Sequence, residues 1–232
     1  MLGTKPKRKL ARHIEARLAS VEQSLLDDDV CQALLLCMTL GDDVRTVPLR
    51  EWARQELGGY EQGSAVPAYR TFDPIWCVNQ SFVRPGYSVS NQVVCLDITE
   101  LAKAQAALDA IFADSGSEPM SVSEPVAINW PLSGIDDFLA SGKDSWDVMP
   151  PWGPSVVSRI YPNDGSFKGH IFLPISRTQI AGMRGTAQVA AMDFVSEARA
   201  QSRGRFDYES LQQAFTEVAA TFGIIAKRIA AD

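Results

Sequence analysis

Apolar side chains recur at three- and four-residue spacings through Leu10, Ile14, Leu18, Val21 and Leu25, the pattern of one buried helix face. Asp27, Asp28 and Asp29 follow and offer an N-cap. Val30, Ala33, Leu34, Cys37 and Met38 then carry a second amphipathic helix, which Gly41 is expected to end. Pro48 suits the first turn of a third helix, where its missing N–H costs nothing. Leu49, Trp52, Ala53, Glu56, Leu57 and Tyr60 form the face of that helix, and Gly58 and Gly59 halt it. Past Pro67 the stretch "FDPIWCVNQSFVRPGYSVSNQVVCL" is rich in β-branched and aromatic residues and predicts short strands around a Pro85-Gly86 turn. A fourth helix is expected over residues 99–112, with Thr99 as its N-cap.

The pattern changes at "ADSGSEPMSVSEP", residues 113–125, where Ser, Gly and Pro with little apolar content mark a loop or internal linker. "VAINWPLSGIDDFLASG" reads as a strand entering a short helix after Pro131, and "DSWDVMPPWGP" as a loop whose Trp146 and Trp152 cover an apolar edge. In "SVVSRIYPNDGSFKGHIFLPI", two strand-like runs flank Asn163-Asp164-Gly165, the signal of a β-hairpin. Ser176 and Gln179 stand in capping-box spacing ahead of a helical face made by Ile180, Met183, Ala187, Ala190 and Phe194. Small residues there, Gly182, Gly185, Ala187, Ala190 and Ala191, predict close approach of a neighbour at some cost in helix propensity. After "SRGR", a last helix over residues 208–231 sets Leu211, Phe215, Val218, Phe222, Ile225 and Ile229 on a coiled-coil-like seam, for self-association or for docking on the chain's own core. The expected class is α+β: an N-terminal helical bundle, a small β region with a C-terminal β-hairpin, and two long C-terminal helices.

Composition adds the frame. With 232 residues, 46% hydrophobic and 22% charged, the chain can bury a core without disulfide or metal staples. A net charge of -6 speaks against wholesale nucleic-acid binding. Positive charge gathers in "KPKRKLARHIEAR", which reads as a solvated terminus, or as an arm touching phosphate or an anionic membrane. No secretory leader is evident, and "CQALLLCMTL" is far shorter than the roughly 20 residues of a membrane-spanning helix. Cys31, Cys37, Cys77 and Cys95 lack C-x-x-C spacing, which fits a reducing, cytoplasmic setting.

The phosphate loop G-x-x-x-x-G-K-[ST] is absent, "SGKDS" lacking both its first glycine and the hydroxyl after Lys143, and so is G-x-G-x-x-G. Two histidines, His13 and His170, cannot build a His-rich metal centre, so neither metal nor cofactor is expected. G-x-S-x-G and S-x-x-K do not occur, and the acid pairs Asp42/Asp43 and Asp136/Asp137 lack a nuclease context. Motif absence leaves enzyme status open, because scattered residues can converge only in the fold. One cluster stands out. Trp52, Glu56 and Tyr60 follow at steps of four, so Glu56 lies between two aromatics on an apolar face where a lone carboxylate is costly to bury. It needs a partner: Arg70, returned by the Gly58-Gly59 turn and stiffened by Pro67, or a Trp or Tyr hydrogen-bond donor. The cluster reads as a structural latch, with a substrate clamp as the functional alternative.

These residues also carry a likeness. "PLREWARQELGGY" followed by "VPAYR" resembles the W-x-x-x-E-L-N-G-Y and P-x-Y-R signature of the AbiTii family of bacterial abortive-infection phage defence. "SLLDDDVCQALLLCMTLGDD" is similar to that family's leading helices, "AINWPLSGIDDFL" to its I-x-W-P segment, and "PISRTQIAGMRGTAQVAAMDFVSEA" to its closing helix. The matching positions are Trp52, Glu56, Leu57, Gly59, Tyr60, Pro67, Tyr69, Arg70, Trp130, Pro131, Ser176 and Gly182; Gly58 replaces the usual Asn, and Gly185 a bulkier residue. The organisation this implies is a basic arm over 1–17, an AbiTii-like domain over 18–202, and an amphipathic helix over 206–232. The resemblance implies a part in phage defence and brings no catalytic residue. The expectation is an oligomerising interaction, sensor or regulatory module, its partner a second copy, a protein of the same defence system or a phage-derived trigger. The alternative is a toxin enzyme acting on nucleic acid or nucleotides, with Glu56 and Arg70 beside rings that could stack on a base. A weaker idea is a membrane-disrupting effector docking through its basic start.

Overall fold

The computed structural model describes residues 5–84, 87–115, 120–161, 167–202 and 208–224. In chain order the elements are α1 (Lys5–Leu26), α2 (Val30–Asp43), α3 (Val47–Gly58), a 3-10 turn (Ala68–Arg70), β1 (Thr71–Phe72), β2 (Cys77–Arg84) and β3 (Tyr87–Cys95). Then come α4 (Ile98–Ser115), β4 (Val126–Ala127), α5 (Leu132–Ala140), β5 (Ser145–Val148), α6 (Gly153–Ile160), β6 (Phe167–Ser176), α7 (Arg177–Ser202) and α8 (Tyr208–Thr221). The class is α+β, as the patterning predicts. The chain divides into two units that interleave along the sequence, Met1–Thr71, Ala127–Gly142 and Thr178–Asp232 in one, Phe72–Val126 and Lys143–Arg177 in the other.

The first unit is helical. Ile14, Leu18 and Val21 of α1, Leu34 and Cys37 of α2, Leu49 and Trp52 of α3, Phe194 of α7 and Phe215 of α8 are all buried. Asp29 caps α2 by accepting the Gln32 N–H at 3.0 Å. Gly41 does not end that helix, which continues to Asp43; a Cβ there would stand 2.9 Å from the Arg50 Cβ, so the missing side chain serves the α2–α3 crossing. In α7 the predicted face is buried, but a Cβ at Gly182 or Gly185 would meet nothing within 4 Å. Close packing there falls to Ala187, Ala190 and Ala191 alone.

The last helix stops at Thr221 rather than running on to 231. Gly223 takes a left-handed φ of 63°, and the Ile224 N–H closes back on the Ala219 carbonyl at 2.8 Å, a helix-ending arrangement that glycine accepts without strain. Phe222 therefore sits past the helix, and Ile225 and Ile229 of the expected seam lie outside the described residues.

The second unit holds a four-stranded antiparallel sheet in the order β3-β2-β6-β5. Its buried face carries Val78, Ile171, Leu173 and Ile175, with Ala104 and Leu108 of α4 and Val156 and Val157 of α6 also buried in this unit. Trp152 is buried edge-on to Trp76 with ring centroids 5.1 Å apart, while Trp146 stands on β5, which patterning placed in a loop. Asp97, not Thr99, caps α4, its Oδ1 accepting the N–H groups of Thr99 and Glu100 at 2.8 Å while Glu100 accepts the Asp97 N–H.

The expected hairpin needs correction. β6 is a strand, but the run before it is helix α6, and β6 pairs with β2 and β5 instead. Burial at Gly153, Val156 and Val157 follows the helical period, and Pro154 opens the first turn, signals that outweigh the β-branched composition. The Asn163-Asp164-Gly165 turn, like Pro85-Gly86, lies outside the described residues. Within 113–125, Val122 is buried: its N–H donates to Gln105 at 2.9 Å and its carbonyl accepts Trp76 Nε1 at 2.6 Å.

Candidate functional site

The four-residue steps of α3 deliver Trp52, Glu56 and the following Tyr60 to one face, and all three are buried. Gly59 turns the chain there with φ 85°, a conformation made for glycine, and a Cβ at that position would stand 2.8 Å from the Asn129 carbonyl. The space is used by the backbone. The Tyr60 N–H donates to that same carbonyl at 2.9 Å, tying the end of α3 to the segment that enters α5.

Pro67, buried, then starts the 3-10 turn that carries Tyr69 and Arg70 back along α3. Glu56 is completely shielded from solvent and Arg70 is 1% exposed. Arg70 donates from Nε to both carboxylate oxygens of Glu56, at 3.1 and 3.2 Å, and from Nη2 to Oε2. The Tyr60 and Tyr69 hydroxyls donate to Oε1 at 2.6 and 2.7 Å, and Trp52 Nε1 donates to the Tyr69 oxygen at 3.1 Å. Arg70 turns its Nη1 to the carbonyls of Ile128 and Trp130 at 3.2 and 2.8 Å, and its guanidinium lies 5.0 Å from the centre of the Tyr60 ring. The Arg70 carbonyl in turn accepts the Ile128 N–H at 2.8 Å.

Every strong acceptor of the carboxylate is thus engaged, and the charge is neutralised where it is buried. Burial, and then the charge of Glu56, push both the Tyr60 and Tyr69 hydroxyls well above the ordinary tyrosine range, which holds them as neutral donors. Burial alone would lower the Arg70 pKa, but Glu56 outweighs it and holds the guanidinium above its usual value. A closed, neutral cluster of this kind orients three chain segments. It leaves no accessible carboxylate to abstract a proton and no open guanidinium to bind an anion.

The two alternatives set out for Glu56 therefore coexist: Arg70 pairs with it and both tyrosines donate to it. Sequence reasoning missed the carbonyls of Ile128, Asn129 and Trp130. The signal nearest to them is Trp130-Pro131, whose proline is extended and keeps the residue before it out of the helix.

Other candidates are placed as follows. Leu211, Phe215 and Val218 are buried in the helical unit, where the Phe215 ring packs against Trp52 at 5.8 Å and Phe194 at 6.1 Å. His13 pairs with Asp43 at 3.0 Å, Asp42 with Arg50 at 3.1 Å, and Asp136 with Arg184 at 2.6 Å. Asp42 and Asp43 thus face different side chains, and Asp136 is held by Arg184. His170 lies against Phe172 with ring centroids 5.5 Å apart. A groove of about 400 Å³ lined by Leu10, Ile14, Asp43, Val44, Arg45 and Tyr208 holds no signature residue. Leu57 and Ser176 are half-buried and Gly182 is exposed, outside the cluster. No helix among the described residues is long and apolar enough to cross a membrane.

The AbiTii family model matches the chain over residues 18–220. No curated protein and no solved structure matches the chain significantly.

Proposed function

The chain belongs to the AbiTii family, which places it in bacterial abortive-infection defence, and on that premise we propose that it acts there as an interaction module without a catalytic site of its own. The observation that carries this reading is the closed state of Glu56, the one acid in the family signature, which is wholly buried with both oxygens engaged. A toxin enzyme built on the signature would need that carboxylate, or Arg70, open to a substrate. The signature instead braces the helical unit, and function passes to surfaces.

The sheet unit supplies such a surface. Ile75, Val93 and Ile98 are 66%, 56% and 85% exposed, and each stands within a few positions of the Cys77–Cys95 end of the ladder that β3, an edge strand, forms with β2. An exposed strand edge flanked by apolar side chains is a site for a second protein chain. The partner is a further copy of this chain, a protein of the same defence system or a phage product.

The test is expression of the wild-type chain and a Val93→Asp/Ile98→Asp variant in bacteria challenged with phage. Defence, growth and nucleic-acid integrity are scored in the same cells, with solution mass and circular dichroism on the purified proteins. The reading predicts a folded variant that has lost defence, and a wild-type protein that leaves nucleic acid and nucleotides intact. Turnover of either by the purified chain would overturn it.

A further inference from the structure

Cys77 on β2 and Cys95 on β3 stand directly opposite one another in the antiparallel ladder, with their sulfurs 3.0 Å apart and both thiols free. The Leu96 N–H donates to the Trp76 carbonyl at 2.9 Å, so the bonds of this ladder flank the cysteine pair rather than link it. Such a non-hydrogen-bonded pair brings opposed Cα atoms to about 4.5 Å, at the near end of the range a disulfide bridges. From this geometry we infer that Cys77 and Cys95 form an oxidisable dithiol, a modification site that a hydroperoxide converts reversibly to a cross-strand disulfide.

The two thiols are unequal in a way that assigns their roles. Cys95 is exposed and Cys77 is 2% exposed. Burial, then the hydrogen bond with Cys95 and the charges of Cys95 and Asp147, push the Cys77 thiol up to about 12, so it is not the thiolate that meets an oxidant. Cys95, as thiolate, attacks the outer oxygen of the hydroperoxide. The O–O bond breaks, an S–O bond forms, and the leaving alkoxide takes a proton to give an alcohol, or water where hydrogen peroxide is the oxidant. Cys77 sulfur then attacks the Cys95 sulfenic acid; the S–S bond forms, the S–O bond breaks, and the departing hydroxide leaves as water with the Cys77 proton. Two thiols have lost two electrons and one peroxide has gained them. Cys31, half-buried, donates its thiol to Asp136 at 3.6 Å, and Cys37 is fully buried, its thiol pushed up to about 12 by that burial. The inference stands independently of the interaction reading above.

The reduced full-length chain, exposed to a slight excess of hydrogen peroxide, alkylated with N-ethylmaleimide under denaturing conditions and mapped by mass spectrometry, tests it. The expected result is an intramolecular peptide linking Cys77 to Cys95, a loss of two alkylated thiols, and recovery of both with dithiothreitol. Cys77→Ser should accumulate dimedone-reactive sulfenic acid on Cys95, and Cys95→Ser should give no linked peptide. Wild type that shows Cys95 oxidised to sulfinic or sulfonic acid while Cys77 remains alkylated, links only between chains, or leaves both thiols untouched overturns the inference. The wild-type map decides the matter even if a serine variant fails to fold.

Discussion

Glu56 and Arg70, 14 positions apart in the chain, neutralise one another where neither side chain reaches solvent. An ion pair in that setting adds little net stability over apolar packing, since both charges surrender their water. Its value lies in geometry. Arg70 can satisfy Glu56 and the carbonyls of Ile128 and Trp130 at once only if α3, the 3-10 turn and the approach to α5 take one relative arrangement. A mispacked bundle leaves a buried charge uncompensated.

Removing both partners should therefore cost less than the two single losses added together. Glu56→Gln and Arg70→Met should each lower unfolding free energy by about 3–5 kcal/mol, because each strands the other's charge. The double variant should fall short of the sum by roughly 1–3 kcal/mol. Urea unfolding of the four proteins measures this, and strict additivity would sink the direct pairing.

Tyr69→Phe probes the same cluster without touching its charges. The hydroxyl both donates to Glu56 and accepts from Trp52, so its loss leaves one acceptor short and one indole N–H unpaired. A cost of about 1–3 kcal/mol is expected, with secondary structure retained by circular dichroism. A variant as stable as wild type would show that the hydroxyl is bystander to the latch.

The raised tyrosines also set an alkaline limit. Each is held neutral in the folded state and ionises in the unfolded chain near its ordinary value of 10.0. The folded protein then binds more protons, so their stabilisation is complete below that pH and declines as pH rises toward the higher folded values. Each should steepen the loss by about 1.4 kcal/mol per pH unit in that window. Denaturant midpoints between pH 9 and 11 (roughly the ordinary tyrosine range) should fall less steeply for Tyr69→Phe than for wild type; equal slopes would contradict the burial. Cys37, raised for the same reason, acts equally in both proteins and cancels.

How far this was readable in advance depends on the reach of each contact. The Glu56 face and its need for a counter-charge followed from helix periodicity and the cost of burying an acid, both local matters. The carbonyls that take Nη1 are backbone groups 58 and 60 positions away, and nothing in a side-chain pattern marks a carbonyl. Residues 153–160 failed for a different reason: Val156, Val157 and Ile160 fit a strand by composition and a helix by spacing, and in so short a run only the spacing was right. Cys77 and Cys95 are 18 apart and meet only through strand register. The C-terminal seam is longer than the helix that carries it because its apolar spacing runs on past Gly223, whose left-handed φ of 63° ends the helix, and apolar spacing carries no mark of that turn.

Gly58 stands where the resemblance to the family sets Asn. The natural reading is that Asn and Gly share a left-handed position, yet Gly58 is the last α-helical residue and exposed, with nothing within 4 Å of a Cβ placed there. The left-handed residue is Gly59. Gly58→Ala should consequently stabilise by about 0.5–1 kcal/mol, since alanine loses less backbone freedom on entering a helix. Gly59→Ala faces both a φ of 85° and the Asn129 carbonyl 2.8 Å from the new methyl. That strain, together with displacement of the Tyr60 N–H from the same carbonyl, should cost on the order of 2–4 kcal/mol. Thermal unfolding of the two single variants should therefore move in opposite directions. Equal shifts would mean that the turn, and with it the return of Arg70 to Glu56, does not depend on Gly59.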